Sequence, residues 1–212
     1  MYLEKINAPQ DVKKLSLEEM TALAAEMRTA LLQKLSRHGG HFGPNLGMVE
    51  ATIAMHYVFD SPKDKIVFDV SHQSYCHKML TGRREAFLKE SHYDDVSGYT
   101  NPEESEHDFF NIGHTSTSVS LASGLAKARD LKGESGNVIA VIGDGSLSGA
   151  KHWKAWILPM NCTAISSFWS MTMTCQLQKI TADCIRICGS SGKQTDSIRA
   201  ISSAPWDWIT AL

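Results

Sequence analysis

The stretch Asn137-Val-Ile-Ala-Val-Ile142 is an almost unbroken apolar run that ends in Gly143-Asp-Gly145. A run that short and that apolar, with no polar alternation, suits a strand of a parallel sheet covered on both faces. Lys65-Ile-Val-Phe-Asp-Val70 repeats the pattern earlier in the chain. Between and around these two runs lie segments of helical period. Ser16-Leu-Glu-Glu19 is a capping box. It opens an amphipathic run from Met20 to Leu35, with Leu23, Met27, Leu31 and Leu35 on one stripe, stopped by Gly39 and Gly40. Further helices are expected over Met48 to Tyr57, Arg83 to Lys89 and Thr115 to Leu131. Helices alternating with buried strands argue an α/β fold with a doubly wound parallel sheet.

Composition bounds what such a domain does. Lys and Arg total 21 and Asp and Glu 23, a formal charge of −2. No basic excess recommends a nucleic-acid or anionic-membrane partner. No apolar run reaches the roughly 18 residues of a membrane span, and the first residues lack a signal-peptide core. A cytoplasmic protein with reduced thiols is expected.

The averages hide a break near Ala150. All five Trp follow it, as do four of the five Cys, and no Glu occurs after Glu134. Residues 1–149 are expected to form a domain, and residues 150–212 are not.

Four segments of the first part carry candidate chemistry. Val141-Ile-Gly-Asp-Gly-Ser146 is a strand ending in a Gly-rich turn before a helix, which presents backbone N–H groups to a phosphate. As a dinucleotide fingerprint it is poor, because Ser148 stands where the third Gly belongs. Asp144 beside a diphosphate makes sense with a cation between them, and Mg²⁺ suits one or two protein oxygens plus phosphate oxygens. The alternative is a tight turn with a solvated Asp. Asp69-Val-Ser-His-Gln73 ends the other strand, which places His72 where open α/β sheets bind ligands. His77 reads as a surface residue. His38-Gly-Gly-His41 follows the first long helix, and its glycines serve either a helix stop or close ligand approach. Gly113-His-Thr-Ser-Thr-Ser118 sets hydroxyls beside a helix start, where N-capping is the ordinary role.

Together and in this order, these segments resemble the 1-deoxy-D-xylulose-5-phosphate synthases, thiamine diphosphate enzymes of the transketolase superfamily. The similarity runs from about Leu15 to Gly149. It rests on His38-Gly-Gly-His-Phe-Gly-Pro-Asn-Leu-Gly47, His56-Tyr-Val-Phe-Asp60, Asp69-Val-Ser-His-Gln73, His77-Lys78, Thr81-Gly-Arg-Arg84, Gly113 to Ser118 and Gly143-Asp-Gly145. The resemblance implies condensation of pyruvate with D-glyceraldehyde 3-phosphate, loss of CO₂, and a product used for isoprenoid, thiamine and pyridoxal synthesis. It implies thiamine diphosphate and Mg²⁺ as cofactors, and a homodimer for the intact family. Carried over by position, Asp144 binds the metal. His72, Gly113, His114, Thr115, Gly145 and Ser146 contact the cofactor, and His41 faces the substrate and assists proton transfer. Two positions depart from the family: Ser71 stands where Gly is usual, and Cys76 where Pro is usual.

The resemblance also suggests what the tail is. Met171-Thr-Met-Thr174 is encoded by a repeat of ATG-ACN, and shifting the frame back one base permits Asn-Asp-Asn-Asp. The same shift over Lys151 to Trp156, Ile165 to Ser170, Cys175 to Ala182 and Ser202 to Ile209 permits sequences like the family's next helix and strand. Residues from about Ala150 onward are therefore expected to be an out-of-frame translation, without the family's Mg²⁺-ligating Asn. Such a chain would lack the second domain that supplies the activating Glu, and would be inactive alone. Its sheet is expected to lose its strands after Ile142. Cys184 and Cys188, with Cys175 and His152, lack the paired spacing of a zinc site. Three rival readings are weighed: the N-terminal half of another transketolase-type enzyme with a partner chain, a non-catalytic binding remnant, and an NAD-binding domain that Asp144 and Ser148 oppose.

Overall fold

The computed structural model describes residues 1–147 and 169–171. The readings made on the rest of the tail, the zinc reading included, lie outside the described residues.

Helix α1 (Pro9–Val12) precedes α2 (Leu17–His38), the longest helix described. The capping box forms as the sequence demands: the Glu19 N–H donates to Ser16 Oγ at 3.2 Å and the Ser16 N–H to Glu19 Oε2 at 2.8 Å. Leu23, Met27, Leu31 and Leu35 are buried on one stripe. Gly39 ends the helix at φ +80°, and its N–H returns to the Leu35 carbonyl at 3.0 Å. That left-handed backbone is the reason a glycine stands there. A short helix α3 (Phe42–Leu46) and α4 (Val49–Val58) follow.

Strand β1 (Lys65–Phe68) pairs in parallel with β2 (Val138–Gly143). The apolar runs alternate between two faces. Ile66, Phe68, Ile139 and Val141 pack with Met48, Met55 and Phe59 from the α4 side. Val67, Val138, Ala140 and Ile142 pack with Val119, Ala122 and Ala126 of α7 (Ser118–Lys132). A helix therefore covers each face of the sheet, as the lack of polar alternation requires. A separate apolar cluster joins α2 to the first residues and to the segment from Tyr75 to Phe87. That segment holds α5 (Tyr75–Lys78), a wide turn kinked at Thr81 and Gly82, and α6 (Glu85–Leu88).

Three expectations need correction. The sheet does not end at β2: β3 (Trp169–Met171) pairs with it in parallel, Val141 opposite Trp169 and Gly143 opposite Met171. A buried parallel strand left open on one side would expose a row of unpaired N–H and C=O groups. Strand β1 stops at Phe68 rather than Val70, because Val70 and Ser71 adopt φ +60° and +69°. Helix α7 begins at Ser118 rather than Thr115, because Ser116 sits at φ +63°.

Candidate functional site

The carboxyl ends of β1 and β2 bring three of the four segments together. Asp69, at the end of β1, is 1% exposed and accepts three backbone N–H groups. Ser116 donates at 2.9 Å, Thr117 at 2.8 Å and Ser118 at 2.9 Å. The carboxylate thus caps α7 from a distant strand, complementing the partial positive charge of the helix start. The expected local hydroxyl cap is replaced, since Thr117 makes no side-chain cap bond. It follows that the first N–H groups of α7 are already engaged and are not a phosphate site. Ser116 Oγ then donates to the Ser146 carbonyl at 2.6 Å, joining this loop to α8 (Asp144–Leu147) after β2.

The loop between β1 and α5 carries His72. Its neighbour Ser71 occupies a left-handed conformation, which explains why a glycine would suit that position. The serine hydroxyl offsets the strain by donating to the Ile112 carbonyl at 2.7 Å and accepting the Thr100 N–H at 3.1 Å. His72 itself is half-buried, and its Nδ1 is buried without a hydrogen-bond partner among the described residues. Burial and the neighbouring His41 hold its pKa below the usual 6.5, so the ring is neutral at pH 7.

His41, from the fourth segment, meets His72 edge to face with ring centroids 5.3 Å apart. Tyr99 lies against the other part of the ring at 5.4 Å. The Tyr75 hydroxyl sits 3.3 Å from His41 Nδ1. Gly113, His114 and Thr115 stand exposed on the rim, and Gly145 is exposed beside Ser146. A Cβ on Gly113 or Gly145 would meet nothing within 4 Å, so both border open space. The structure therefore gathers His41 with His72, and the Ser116 loop with Ser146. Asp144 opens α8, and its carboxylate lies outside what is described. No group of three His, Cys, Asp or Glu suited to a metal occurs among the described residues.

Sequence reading missed Asn45. It is fully buried. Its Nδ2 donates to the carbonyls of His41 at 2.6 Å and His72 at 2.8 Å, and its Oδ1 accepts the Tyr75 N–H at 2.9 Å. One side chain thus ties together both histidine-bearing loops. The signal available was an amide just after a Gly-Pro pair, which reads as an ordinary turn residue.

His77 is corrected from surface to core. It is fully buried, with Nδ1 2.9 Å from His56 Nε2 and Nε2 3.2 Å from Asp108 Oδ1. Arg83 grips the same carboxylate at 2.6 and 3.0 Å and also reaches Glu104, which pairs with buried Lys78 at 2.6 Å. Burial depresses the pKa of both His56 and His77. Hydrogen bonds from His77 and Arg83 outweigh the opposing effect of burial on Asp108, and hold its carboxyl well below the ordinary 3.8. Asp108 also accepts the Asn101 N–H at 2.9 Å and Glu104 the Ser97 N–H at 2.8 Å, so the network braces the loop of residues 97–108. Cys76 is buried too, its thiol pushed up by burial and resting 3.7 Å from the Asn45 carbonyl.

Residues 3–160 match the family model described as 1-deoxy-D-xylulose-5-phosphate synthase. The enzyme of that name from Syntrophomonas wolfei is 54% identical over 153 residues, 72% of this chain and 24% of the relative. Those from Caldanaerobacter subterraneus and Brevibacillus brevis are each 55% identical, over 153 and 155 residues, 72% and 73% of this chain and 25% of each relative. The chain spans about a quarter of the length of the curated relatives it matches. No described helix is long and apolar enough to cross a membrane. With the motif-bearing loops gathered at the strand ends and the match covering well over half of the residues, the chain belongs to the 1-deoxy-D-xylulose-5-phosphate synthase family.

Proposed function

We propose that these residues are the amino-terminal part of a cytoplasmic enzyme that joins pyruvate to D-glyceraldehyde 3-phosphate, releases CO₂ and forms 1-deoxy-D-xylulose 5-phosphate. The observation that carries this reading is the convergence of His72, the Ser116 loop and Ser146 at the carboxyl ends of β1 and β2. In open α/β sheets that edge is where ligands bind. The finer architecture we assign is a doubly wound sheet, of which β1, β2 and β3 are three strands.

The donor set fits thiamine diphosphate. A neutral imidazole with a buried, unpartnered nitrogen, hydroxyls on the rim and glycines bordering open space suit a polar, anionic group. Thiamine diphosphate, when bound, supplies the carbanion chemistry that decarboxylation of pyruvate needs. His72, Gly113, His114, Thr115, Gly145 and Ser146 are assigned to hold it, and Asp144 to hold Mg²⁺ against its diphosphate. His41 lies beside His72 at the rim, and we assign it to orient the substrate and move a proton there. Its ring contacts with Tyr75 and Tyr99 help to hold it there.

We further propose that residues from about Ala150 onward are translated out of frame, and that the 212 residues by themselves do not turn over. Half of a catalytic site does not supply the preorganised field that lowers the barrier. Clustered Trp and Cys and the absence of Glu after Glu134 support this account of the tail.

The test begins with the encoding DNA, read from the codon for Asp144 past Leu212. A one-base correction near Gly149 is expected to open a long frame containing Asn-Asp-Asn-Asp. The protein made from that frame is expected to release CO₂ from pyruvate when D-glyceraldehyde 3-phosphate is present, and the 212-residue chain is not. Failure to find such a frame sinks the account of the tail. A silent full-length product sinks the assigned reaction.

A further inference from the structure

We infer that Tyr75 is a positioning residue for His41, fixing its imidazole as the tautomer with the proton on Nε2. The inference deepens the reading above, since it concerns the residue assigned there to substrate and proton transfer.

The Tyr75 oxygen lies 3.4 Å from the His41 backbone N and 3.3 Å from His41 Nδ1. The backbone N–H has only a proton to give, so toward it the phenol is the acceptor. The phenol owns one proton of its own. His41 Nδ1 is the acceptor within reach of it, and a ring nitrogen that accepts carries no hydrogen. In a neutral imidazole the hydrogen then sits on Nε2. Burial raises the Tyr75 pKa above 10, so the phenol keeps the proton it donates.

The placement of the hydroxyl is enforced from three sides. A Cβ on Gly40 would stand 2.9 Å from it, and a Cβ on Gly98 would stand 3.3 Å from it. Two segments of backbone therefore wall the oxygen in, and at Gly40 no side chain fits without displacing it. Asn45 fixes the root of the same residue by accepting the Tyr75 N–H, while holding the His41 carbonyl with its amide. Main chain and ring of His41 are thus both tied to Tyr75. Among the described residues nothing accepts from Nε2–H, a donor of fixed position beside His72, suited to a carbonyl or carboxylate oxygen of an α-keto acid.

The experiment is ¹⁵N–¹H correlation spectroscopy on the full 212-residue chain labelled at its histidines, with the His41 signals assigned by their loss in His41→Gln. In the unsubstituted chain, a pyridine-type shift at Nδ1 and a pyrrole-type shift at Nε2 are expected at neutral pH. In Tyr75→Phe, which removes one oxygen and keeps the ring, both shifts are expected to move to exchange-averaged values. Tyr99→Phe, whose ring touches His41 but whose hydroxyl does not, is expected to leave them unchanged. The His77 signals report that each variant is folded. A pyrrole-type Nδ1 in the unsubstituted chain, or averaged shifts there, overturns the inference whatever Tyr75→Phe does. Unchanged shifts in Tyr75→Phe overturn it as well. Because the readout needs neither cofactor nor turnover, it stands or falls separately from the proposed reaction.

Discussion

Asp69 and Ser118 are 49 positions apart, yet the Asp69 carboxylate accepts the Ser118 backbone N–H at 2.9 Å and those of Ser116 and Thr117 beside it. A strand end thereby sets where a helix begins. Buried, charge-assisted bonds of this kind contribute about 1.5–3 kcal/mol each before the loss of the others is counted. Asp69→Ala is expected to lower unfolding stability by about 3–4 kcal/mol in urea titration, and Asp69→Asn by less. A loss under about 1 kcal/mol for Asp69→Ala would remove the carboxylate from this role.

Asn45 gives a second expectation. Removing its amide takes a donor from the part-buried carbonyls of His41 and His72 and the acceptor from the buried Tyr75 N–H. Asn45→Ala is expected to cost about 2–3 kcal/mol. Amide hydrogen exchange should quicken in both loops, around His41 and around His72, because one side chain holds them. Quickening confined to one loop would show that they are not coupled through Asn45.

Gly39 and Gly40 make a matched pair of controls. Both have positive φ, +80° and +129°. A Cβ on Gly39 meets nothing within 4 Å, whereas on Gly40 it meets Leu35 Cδ2 at 2.7 Å and the Tyr75 hydroxyl at 2.9 Å. Gly39→Ala is expected to cost about 1 kcal/mol from backbone strain alone. Gly40→Ala is expected to cost about 1–3 kcal/mol more through overpacking. Equal melting temperatures for the two variants would contradict the crowding at Gly40.

The buried histidines give a pH dependence whose sign is fixed. His56 and His77 have pKa values depressed by burial below the 6.5 of an unfolded histidine. The unfolded chain therefore binds more protons as pH falls below 6.5, and stability present above that value is lost toward the folded values. His56, fully buried and held well below 6.5, is expected to contribute the larger part of the loss as pH falls from 7. Asp108 works in the same direction at lower pH, since its stabilisation is present above 3.8 and is lost on further acidification. Urea midpoints measured from pH 8 to pH 5 should fall. In His56→Gln the fall should be smaller, and an identical slope would show that His56 is not the group responsible.

Helix α2 and the apolar cores of β1 and β2 were legible in the chain, because their causes are local. The capping box at Ser16 and the stripe through Leu23, Met27 and Leu31 specify α2 within a few turns of chain. The apolar runs at Lys65 and Asn137 specify buried strands, since a continuous apolar stretch has no wet face to offer. The sequence also picked out His41 before α3 and His72 after β1 as candidates, whereas Ser146, expected in a turn after β2, lies within α8.

What holds these residues in position arises from contacts between segments far apart in the chain. Asp69 caps a helix across 49 positions, Asn45 joins the His41 carbonyl four positions back to the His72 carbonyl 27 positions ahead, and His77 finds Asp108 31 positions away. A polar side chain has no period and no preferred sequence separation for its partner. Its role is set by the buried donors and acceptors that the fold delivers to it, each of which must be satisfied once water is excluded. For the same reason His77 reads as a surface histidine in sequence and is a core residue in the fold, where the Asp108 carboxylate compensates for its burial.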